Sequence, residues 1–397
     1  MINLARRDIA HHLKSYLLTG LGLGLLIGVT LTMAGVYRGM VDDARVLLRA
    51  VDADVWVVQQ NTLGPFAEPS SVPDELYRAL AGLDGVAQTG NVAYLTMQVS
   101  HQGTSQRVMV AGFEPGKPGG PAFLLAGRPV ARAHYEAVAD AKTGFAVGDV
   151  VRIRRNDYTV VGLTRRMVSS NGDPMLFIPL KDAQEAQFLK DNDAIVEDRK
   201  RLAANPAVNR PGQPGVLDAV QAIQTSSHKV NAVLLRLRPG TDARAVADTI
   251  ARWQRYTAYT SDDMEEILVA KLIATAAKQI SLFLIILAVV SAAIVAFIIY
   301  TMTLGKIKEI AVLKLIGTKN RTIAAMIVQE ALGLGVIGFF VGKFAATLWA
   351  PAFPKYVLLE NGDAVRAFVL TLVVCALASV LAIRAALKID PAEAIGG

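Results

Sequence analysis

The stretch KIKEIAVLKLIGTKNRTIAAMIVQE, residues Lys306–Glu330, lies between two hydrophobic runs, and the rest of the chain is organised around it. Its segment EIAVLKLIG has only two polar residues, Glu309 and Lys314, so a helix here is apolar all the way round. Such a helix is too short to span a bilayer, which takes roughly 20 apolar residues. Two interpretations therefore remain open. The helix either docks into a hydrophobic groove on another protein or rests with one side in the lipid interface.

Uncharged runs elsewhere predict four membrane-spanning helices. They cover Leu17–Tyr37, Ile280–Leu304, Thr322–Gly342 and Ala367–Ile383, and among them only the third contains a charged residue, Glu330. With 53% hydrophobic and 19% charged residues, the chain has the composition of a membrane protein with a large polar part.

The basic residues indicate the orientation in the membrane. Segments 1–16, 305–321 and 384–397 hold ten Lys or Arg against four acids, which is nearly all of the formal net charge of +7. This is the positive-inside pattern of a membrane protein and does not indicate a nucleic-acid partner. We expect a multi-pass protein with both termini cytoplasmic and with residues 41–279 and 349–363 outside.

Small residues recur every four positions along the first spanning helix, at Gly20, Gly24, Gly28 and Thr32. Such a stripe lets two helix backbones approach closely. The partner is either the same helix of a second copy or another helix of this chain, and we expect the homodimer.

The external segment predicts an α+β domain. Strand patterns occur at residues 54–59, 86–99, 107–113, 150–154, 158–163, 175–180, 230–237 and 255–259. Helix-start signals precede ELYRALAGL and DARAVADTIARW. The order β-α-β-β and then β-α-β is typical of a split ferredoxin-like fold, here interrupted by a small β-rich insertion.

These observations divide the chain into ten predicted segments: 1–40, N-terminal cytoplasmic helix and first spanning helix; 41–115, first external (porter) part; 116–227, β-rich insertion with a mobile loop at 191–215; 228–278, second porter part and stalk; 279–304, second spanning helix; 305–321, cytoplasmic connecting helix; 322–348, third spanning helix; 349–364, external loop; 365–387, fourth spanning helix; 388–397, cytoplasmic C-terminus.

Glu330 is the one acidic residue within the predicted spans, and the sequence contains no catalytic or metal-binding motif. It lies about 13 Å along a helix from Arg321 and must find a partner in the membrane. It is either part of a functional network or a carboxylate that reaches back to Lys or Arg at the inner face, and we expect the second. Cys375, the single cysteine, lies in the fourth run and is expected to pack there.

The motifs KEIAVLKLIGTKNRTIAAMIVQEAL and ALKIDPAEAI, with one helix before the external domain and three after it, resemble the FtsX-like permease family. These are the type VII ABC transporter permeases of MacB- and DevC-type exporters. The resemblance covers essentially the whole chain, and the external insertion is similar to the β-rich subdomain of the family.

The resemblance implies a homodimeric permease of the bacterial inner membrane that is not itself an enzyme and binds no cofactor. A separate P-loop ATPase would bind ATP and Mg²⁺ and pass its motion to the external domain. A periplasmic adaptor and an outer-membrane duct would complete an export system for a lipid, glycolipid or other hydrophobic compound. The residues expected to contact the ATPase are Glu309, Ile310, Leu313, Lys314, Ile316 and Gly317.

Two other classes of function stay open. A regulatory scaffold would use the same architecture to activate a cell-wall hydrolase, and a membrane-bound enzyme would need a catalytic set that the motifs do not provide. The neighbouring reading frames distinguish the exporter from the regulatory scaffold. An adaptor beside the ATPase favours the exporter, and a peptidoglycan hydrolase favours the scaffold.

Overall fold

A computed structural model describes residues 13–188, 197, 200–206, 215–216, 228–353 and 355–388. The chain divides into two compact units, one formed by Met1–Met40 with Thr275–Gly397 and the other by Val41–Ala274. We call them the membrane unit and the α+β unit. The basic residues at positions 6 and 7, most of the loop predicted at 191–215 and the motif IDPAEAI lie outside the described residues.

Helices alone form the described part of the membrane unit, whereas the α+β unit combines strands with short helices. The described helices are α1 Leu13–Val51, α2 Leu76–Ala81, α3 Leu180–Phe188, α4 Ala243–Ala251, α5 Ser261–Glu266, α6 Ala274–Gly305, α7 Ile307–Leu315, α8 Asn320–Trp349 and α9 Asn361–Lys388. The described strands are β1 Val55–Gln59, β2 Val72–Pro73, β3 Val86–His101, β4 Thr104–Phe113, β5 Leu124–Gly127, β6 Glu136–Asp140, β7 Val150–Ile153, β8 Asn156–Thr164, β9 Met175–Pro179, β10 Lys229–Val230, β11 Ala232–Leu237 and β12 Tyr256–Thr260.

Four helices in the described part of the chain are long and apolar enough to cross a membrane, at Tyr16–Val51, Ala276–Gly305, Asn320–Ala352 and Asn361–Lys388. They contain the four predicted runs, so the prediction of four spanning helices is confirmed. The core of the membrane unit draws buried residues from all four helices and from α7, among them Leu23, Ile299, Ile310, Ile327 and Ala382.

The first part of the α+β unit is an antiparallel sheet with the strand order β12-β1-β11-β3. Numbered along the chain, this is the order 4-1-3-2 of a ferredoxin-like fold, with α2 and α4 as the two crossover helices. Asp242 caps α4 by accepting a hydrogen bond from the backbone N–H of Arg244 at 2.9 Å. Buried Leu80 from α2 and Val246 and Ile250 from α4 contribute to one hydrophobic core with the sheet. The ferredoxin-like prediction is confirmed.

The second part of the α+β unit is a mixed sheet with the order β3-β4-β9-β6-β8-β5, in which β7 also pairs with β3 and β8. Strand β4 pairs with β3 over residues 93–112 and runs parallel to β9. The insertion therefore begins within β3, near Ala93, and the predicted boundary at residue 116 is too late. The physical reason is that β3 is one strand of 16 residues whose first half pairs with β11 and whose second half pairs with β4.

Glu136 fixes the start of β6, which the sequence did not predict as a strand. Its side chain is 3% exposed and accepts hydrogen bonds from Arg128 at 2.5 and 3.0 Å and from the backbone N–H groups of Ala131 and Arg132 at 2.9 and 3.0 Å. The guanidinium of Arg128 is the largest influence on this carboxyl and lowers the pKa of Glu136 to about 2. A charged carboxylate thus holds the segment before β6 in place.

Candidate functional site

The helix α7, predicted at the centre of the site, spans Ile307–Leu315 and lies between the spanning helices α6 and α8. Its carboxyl end is closed by Gly317, which has a φ of +86° and donates its backbone N–H to the carbonyl of Lys314 at 3.0 Å. Glycine adopts this left-handed conformation readily, so Gly317 serves to end the helix. This role in ending the helix accounts for a glycine at position 317 without a direct contact to an ATPase.

One side of α7 exposes large apolar side chains to solvent or lipid. Val312 is 45% exposed, Leu315 64% and Ile316 76%. Of these, only Ile316 was among the residues predicted to contact an ATPase, although Glu309 is also exposed. Val312 and Leu315 were missed because a helix that is apolar all round gives no sign of which side faces outwards.

The opposite side of α7 is turned into the membrane unit. Ile310 is 1% exposed and belongs to the core of the unit, so the prediction that it contacts a partner is wrong for this arrangement of helices. Leu313 is half-buried. Lys314, also half-buried, donates a hydrogen bond from Nζ to the backbone carbonyl of Leu387 at 2.9 Å. Because Leu387 lies in the last turn of α9, Lys314 joins two helices and is not directed at the exposed side.

Glu330 lies on α8 and is paired with a lysine from the start of α7. Lys306 donates from Nζ to Oε2 of Glu330 at 3.1 Å, and both side chains are 9% exposed. The same ammonium group lies 3.4 Å from the hydroxyl of Tyr16 and 5.4 Å from the centre of its ring. The expected structural role of Glu330, a carboxylate held by a basic residue, is what this geometry provides.

The stripe on α1 packs against α8 of the same chain. A Cβ atom on Gly24 would lie 3.0 Å from the carbonyl oxygen of Gly338, and one on Gly28 would lie 3.0 Å from that of Gly342. Gly20 faces Ile337 in the same way. The glycines of α8 thus face those of α1.

Thr32 completes this contact, because its hydroxyl accepts a hydrogen bond from Nε1 of Trp349 at 2.7 Å. The expectation that this stripe contacts a second copy is therefore wrong, since α8 already occupies it. The alternative, packing against another helix of this chain, is the one that the structure shows.

An apolar groove of about 650 Å³ lies between α1 and α6 in the membrane unit, towards the end of α1 that precedes the α+β unit. Its polar lining groups are Gln279 and Lys355, and the rest of the lining is aliphatic, aromatic or methionine. The residues that supply this apolar lining include Val29, Met33, Val36, Phe283, Ile286 and Val290. The groove suits a hydrocarbon chain, and Lys355 could hold a polar or anionic group beside it.

Comparisons with known proteins agree with this architecture. Residues 16–253 match the model of the MacB-like periplasmic core domain, and residues 281–391 match the FtsX-like permease C-terminal model. An uncharacterized ABC transporter permease of Mycobacterium tuberculosis is 25% identical over 401 residues, and one of Mycobacterium bovis is 24% identical over 397 residues. Both alignments cover 100% of each chain.

Among solved structures, the periplasmic region of MacB from Actinobacillus actinomycetemcomitans is similar over 55% of this chain and 94% of that chain, with 9% sequence identity and a TM-score of 0.35. The family models account for both parts of the architecture, since the first covers most of α1 together with strands β1 to β11, and the second covers most of α6 together with α7, α8 and α9. The chain therefore belongs to the family of MacB- and FtsX-like ABC transporter permeases.

Proposed function

We propose that the chain is the permease subunit of an ABC exporter and transmits ATP-driven motion from a separate ATPase to its α+β unit. Membership of the ABC permease family implies an ATPase partner, which would bind ATP and Mg²⁺. The positive-inside distribution of Lys and Arg supports an orientation with both termini and α7 in the cytoplasm. The α+β unit would then face the periplasm from the inner membrane.

The exposed apolar side of α7 carries this proposal. Val312, Leu315 and Ile316 form a hydrophobic surface on a helix too short to cross the membrane, at the end of the unit where the basic residues gather. Burial of such side chains against a partner is favourable by about 25 cal/mol per Å² of apolar surface. The side chains that hold α7 to the other helices, Ile310 and Lys314, leave this surface available.

The groove between α1 and α6 supports a hydrophobic cargo such as a lipid or glycolipid. Its apolar lining comes mainly from two of the candidate spanning helices, and Lys355 adds a basic side chain to that lining. In this proposal a periplasmic adaptor and an outer-membrane duct receive the cargo.

A homodimer would use a surface other than the glycine stripe of α1. Helix α6, the least buried of the four candidate spanning helices, offers such a surface.

The test is co-purification of the partner P-loop ATPase with this chain, using the variant Leu315→Asp. Leu315 is 64% exposed, so the aspartate has little effect on the isolated permease. In a docked interface the same carboxylate would be buried without a partner, at a cost of several kcal/mol. We expect the ATPase to be lost from purified Leu315→Asp and retained by the control Lys319→Ser, whose side chain is also exposed.

Normal ATPase binding and normal coupling in Leu315→Asp would contradict docking through α7. It would favour a helix that rests in the lipid interface, where a carboxylate can turn to water. The neighbouring reading frames complete the test, because a peptidoglycan hydrolase in place of an adaptor would favour a regulatory scaffold.

A further inference from the structure

We propose that Lys306, Glu330 and Tyr16 form a joint that makes α7, α8 and α1 move together when a partner displaces α7. The inference rests on the proposed function of α7 and assigns positioning roles to these three residues. We call the set the Lys306 joint.

Lys306 occupies the bend between two helices. Helix α6 ends at Gly305 and α7 begins at Ile307, and Lys306 itself has a φ of −102° and a ψ of 13°, outside the helical range. Its N–H donates to the carbonyl of Thr303 at 3.1 Å, and its own carbonyl accepts from Ile310 at 3.0 Å. The bend is therefore short and well bonded, and any rotation of α7 about its start passes through this residue.

The side chain of Lys306 connects the bend to two further helices. Its ammonium lies 3.1 Å from Oε2 of Glu330 on α8 and 3.4 Å from the hydroxyl of Tyr16 on α1. Tyr16 is fully buried, and Lys306 and Glu330 are each 7% exposed. One charged group thus holds three helices at a single point.

The apolar surroundings oppose separation of Lys306 from Glu330. The joint lies in the same hydrophobic core as Ile310, Ile323 and Ile327, which are each 1% exposed. Moving Lys306 away from Glu330 would leave two charges in this apolar environment without each other, which is strongly unfavourable. A displacement of α7 is therefore expected to carry the pair with it rather than to break it.

The far end of α7 is held less firmly. Lys314 is half-buried, and on α9 its Nζ donates to the neutral backbone carbonyl of Leu387 at 2.9 Å. Exchange of this bond for one to water costs little. A push on the exposed side of α7 should therefore release α9 before it releases α8 or α1.

The experiment measures whether α7 and α8 move as one body. Spin labels are placed at Lys308 on α7 and Lys343 on α8, both exposed, in a Cys375→Ala background. Their distance distribution is recorded in the complex with the P-loop ATPase, before and after the nucleotide is trapped as ADP–vanadate. We expect the same mean distance and width in both states of the otherwise wild-type complex.

The decisive variant is Lys306→Met/Glu330→Met, which removes both charges and leaves apolar side chains of similar volume. Replacing a buried ion pair in this way is often neutral or stabilising, so the protein should still fold and bind the ATPase. We expect the distance between the labels to shift or broaden on trapping. The control Lys314→Met should leave it unchanged, and Tyr16→Phe should release α1 only, detected with labels at Lys308 and Leu18.

The outcomes separate the two proposals. If the double variant binds the ATPase and its distances on trapping equal those of the wild type, the joint is wrong while the proposed function stands. A wild-type chain that fails to bind the ATPase would overturn the proposed function and this inference with it. A double variant that cannot be purified is replaced by the exchanged pair Lys306→Glu/Glu330→Lys, for which the joint predicts wild-type behaviour, and a shift on trapping would contradict it.

Discussion

Adding a single methyl group at Gly24 should destabilise the membrane unit, whereas the same change two residues earlier should not. A Cβ atom on Gly24 would lie 2.6 Å from Cγ1 of Val341 and 3.0 Å from the carbonyl oxygen of Gly338. Rotation of the Val341 side chain moves Cγ1, but Cβ of Val341, 2.7 Å away, and the carbonyl oxygen are both fixed by the backbone of α8. A Cβ on Gly22 would meet no atom within 4 Å. The two positions therefore form a matched pair on one helix.

The size of the effect follows from these distances. An ordinary carbon contact is about 3.5–4.0 Å, so Gly24→Ala forces α1 and α8 apart by a sizeable part of an ångström along their closest line of contact. Overpacking of this kind costs about 1–3 kcal/mol. Gly22→Ala carries no such penalty and gains up to about 1 kcal/mol of helix propensity. Gly24→Ala gains the same propensity, so we expect the two variants to differ by the overpacking cost alone, about 1–3 kcal/mol, in the stability of the unit.

Cys375 provides the assay without further engineering. It is the only cysteine of the chain and is fully buried on α9. A thiol-reactive fluorescent dye will label it only as the helices separate on heating. At about 2–4 °C per kcal/mol for a unit of this size, Gly24→Ala should be labelled at a temperature roughly 5 °C below that of Gly22→Ala. Gly22→Ala should be labelled at the wild-type temperature or slightly above it.

Equal labelling temperatures for Gly24→Ala and Gly22→Ala would refute this reasoning. Such a result would mean that α1 and α8 are not in close contact at the stripe, and the stripe would again be a candidate surface for a second copy. Crosslinking between two copies through α1 would then be the next measurement.

Two further predictions concern the orientation of the chain and the acid stability of the α+β unit. Cysteines placed at Gln102 and at Lys319 should differ in their labelling by an impermeant reagent in sealed cells, Gln102 being accessible and Lys319 protected, and equal labelling would contradict the orientation. The lowered pKa of Glu136, set mainly by Arg128, adds stability on the order of 2 kcal/mol that is complete above pH 4.5 and is lost as the pH falls towards 2. Chemical denaturation should therefore show Glu136→Gln to be less stable than wild type at pH 6 and nearly equal at pH 2.5, and a difference that does not change with pH would argue against this assignment.

Most of the architecture could be predicted because it is encoded locally. Each spanning helix contains a long apolar run without basic residues, and the strands at residues 86–101 and 232–237 are continuous β-rich segments. The insertion boundary could not be predicted in the same way. It depends on which half of β3 pairs with β11 and which with β4. Strand β4 follows β3 directly, but β11 lies more than 100 positions further along the sequence.

The helix α7 was predicted in position but not in orientation. The wheel of α7 is apolar on every side, so hydrophobicity could not show that Ile310 faces inwards and Leu315 outwards. The orientation is set by the hydrogen bonds that Lys306 and Lys314 donate. Lys306 donates to the side chain of Glu330, and Lys314 donates to a backbone carbonyl of α9. Both partners are remote in sequence, and a backbone carbonyl carries no signal in the sequence at all.

The glycine stripe on α1 shows a second limit of prediction from sequence. Gly24 and Gly28 require a close neighbour, and that much is evident from their spacing. Several surfaces could satisfy the requirement, including α1 of a second copy. The glycines of α8, Gly338 and Gly342, form the complementary surface within the chain. Spacing alone shows that two surfaces could fit, but it does not show which pair forms.

Strand β3 is long enough to convert a small rotation at one end into a large displacement at the other. Its 16 residues extend over about 50 Å, with the first seven paired to β11 in the ferredoxin-like sheet and the remainder carrying β4 to a hairpin tip at Gln102. Because one continuous backbone serves both sheets, a tilt at the root of about 10° would sweep the tip through about 9 Å. A small angular change where β3 joins the ferredoxin-like sheet thus becomes a displacement of several ångströms at the hairpin tip.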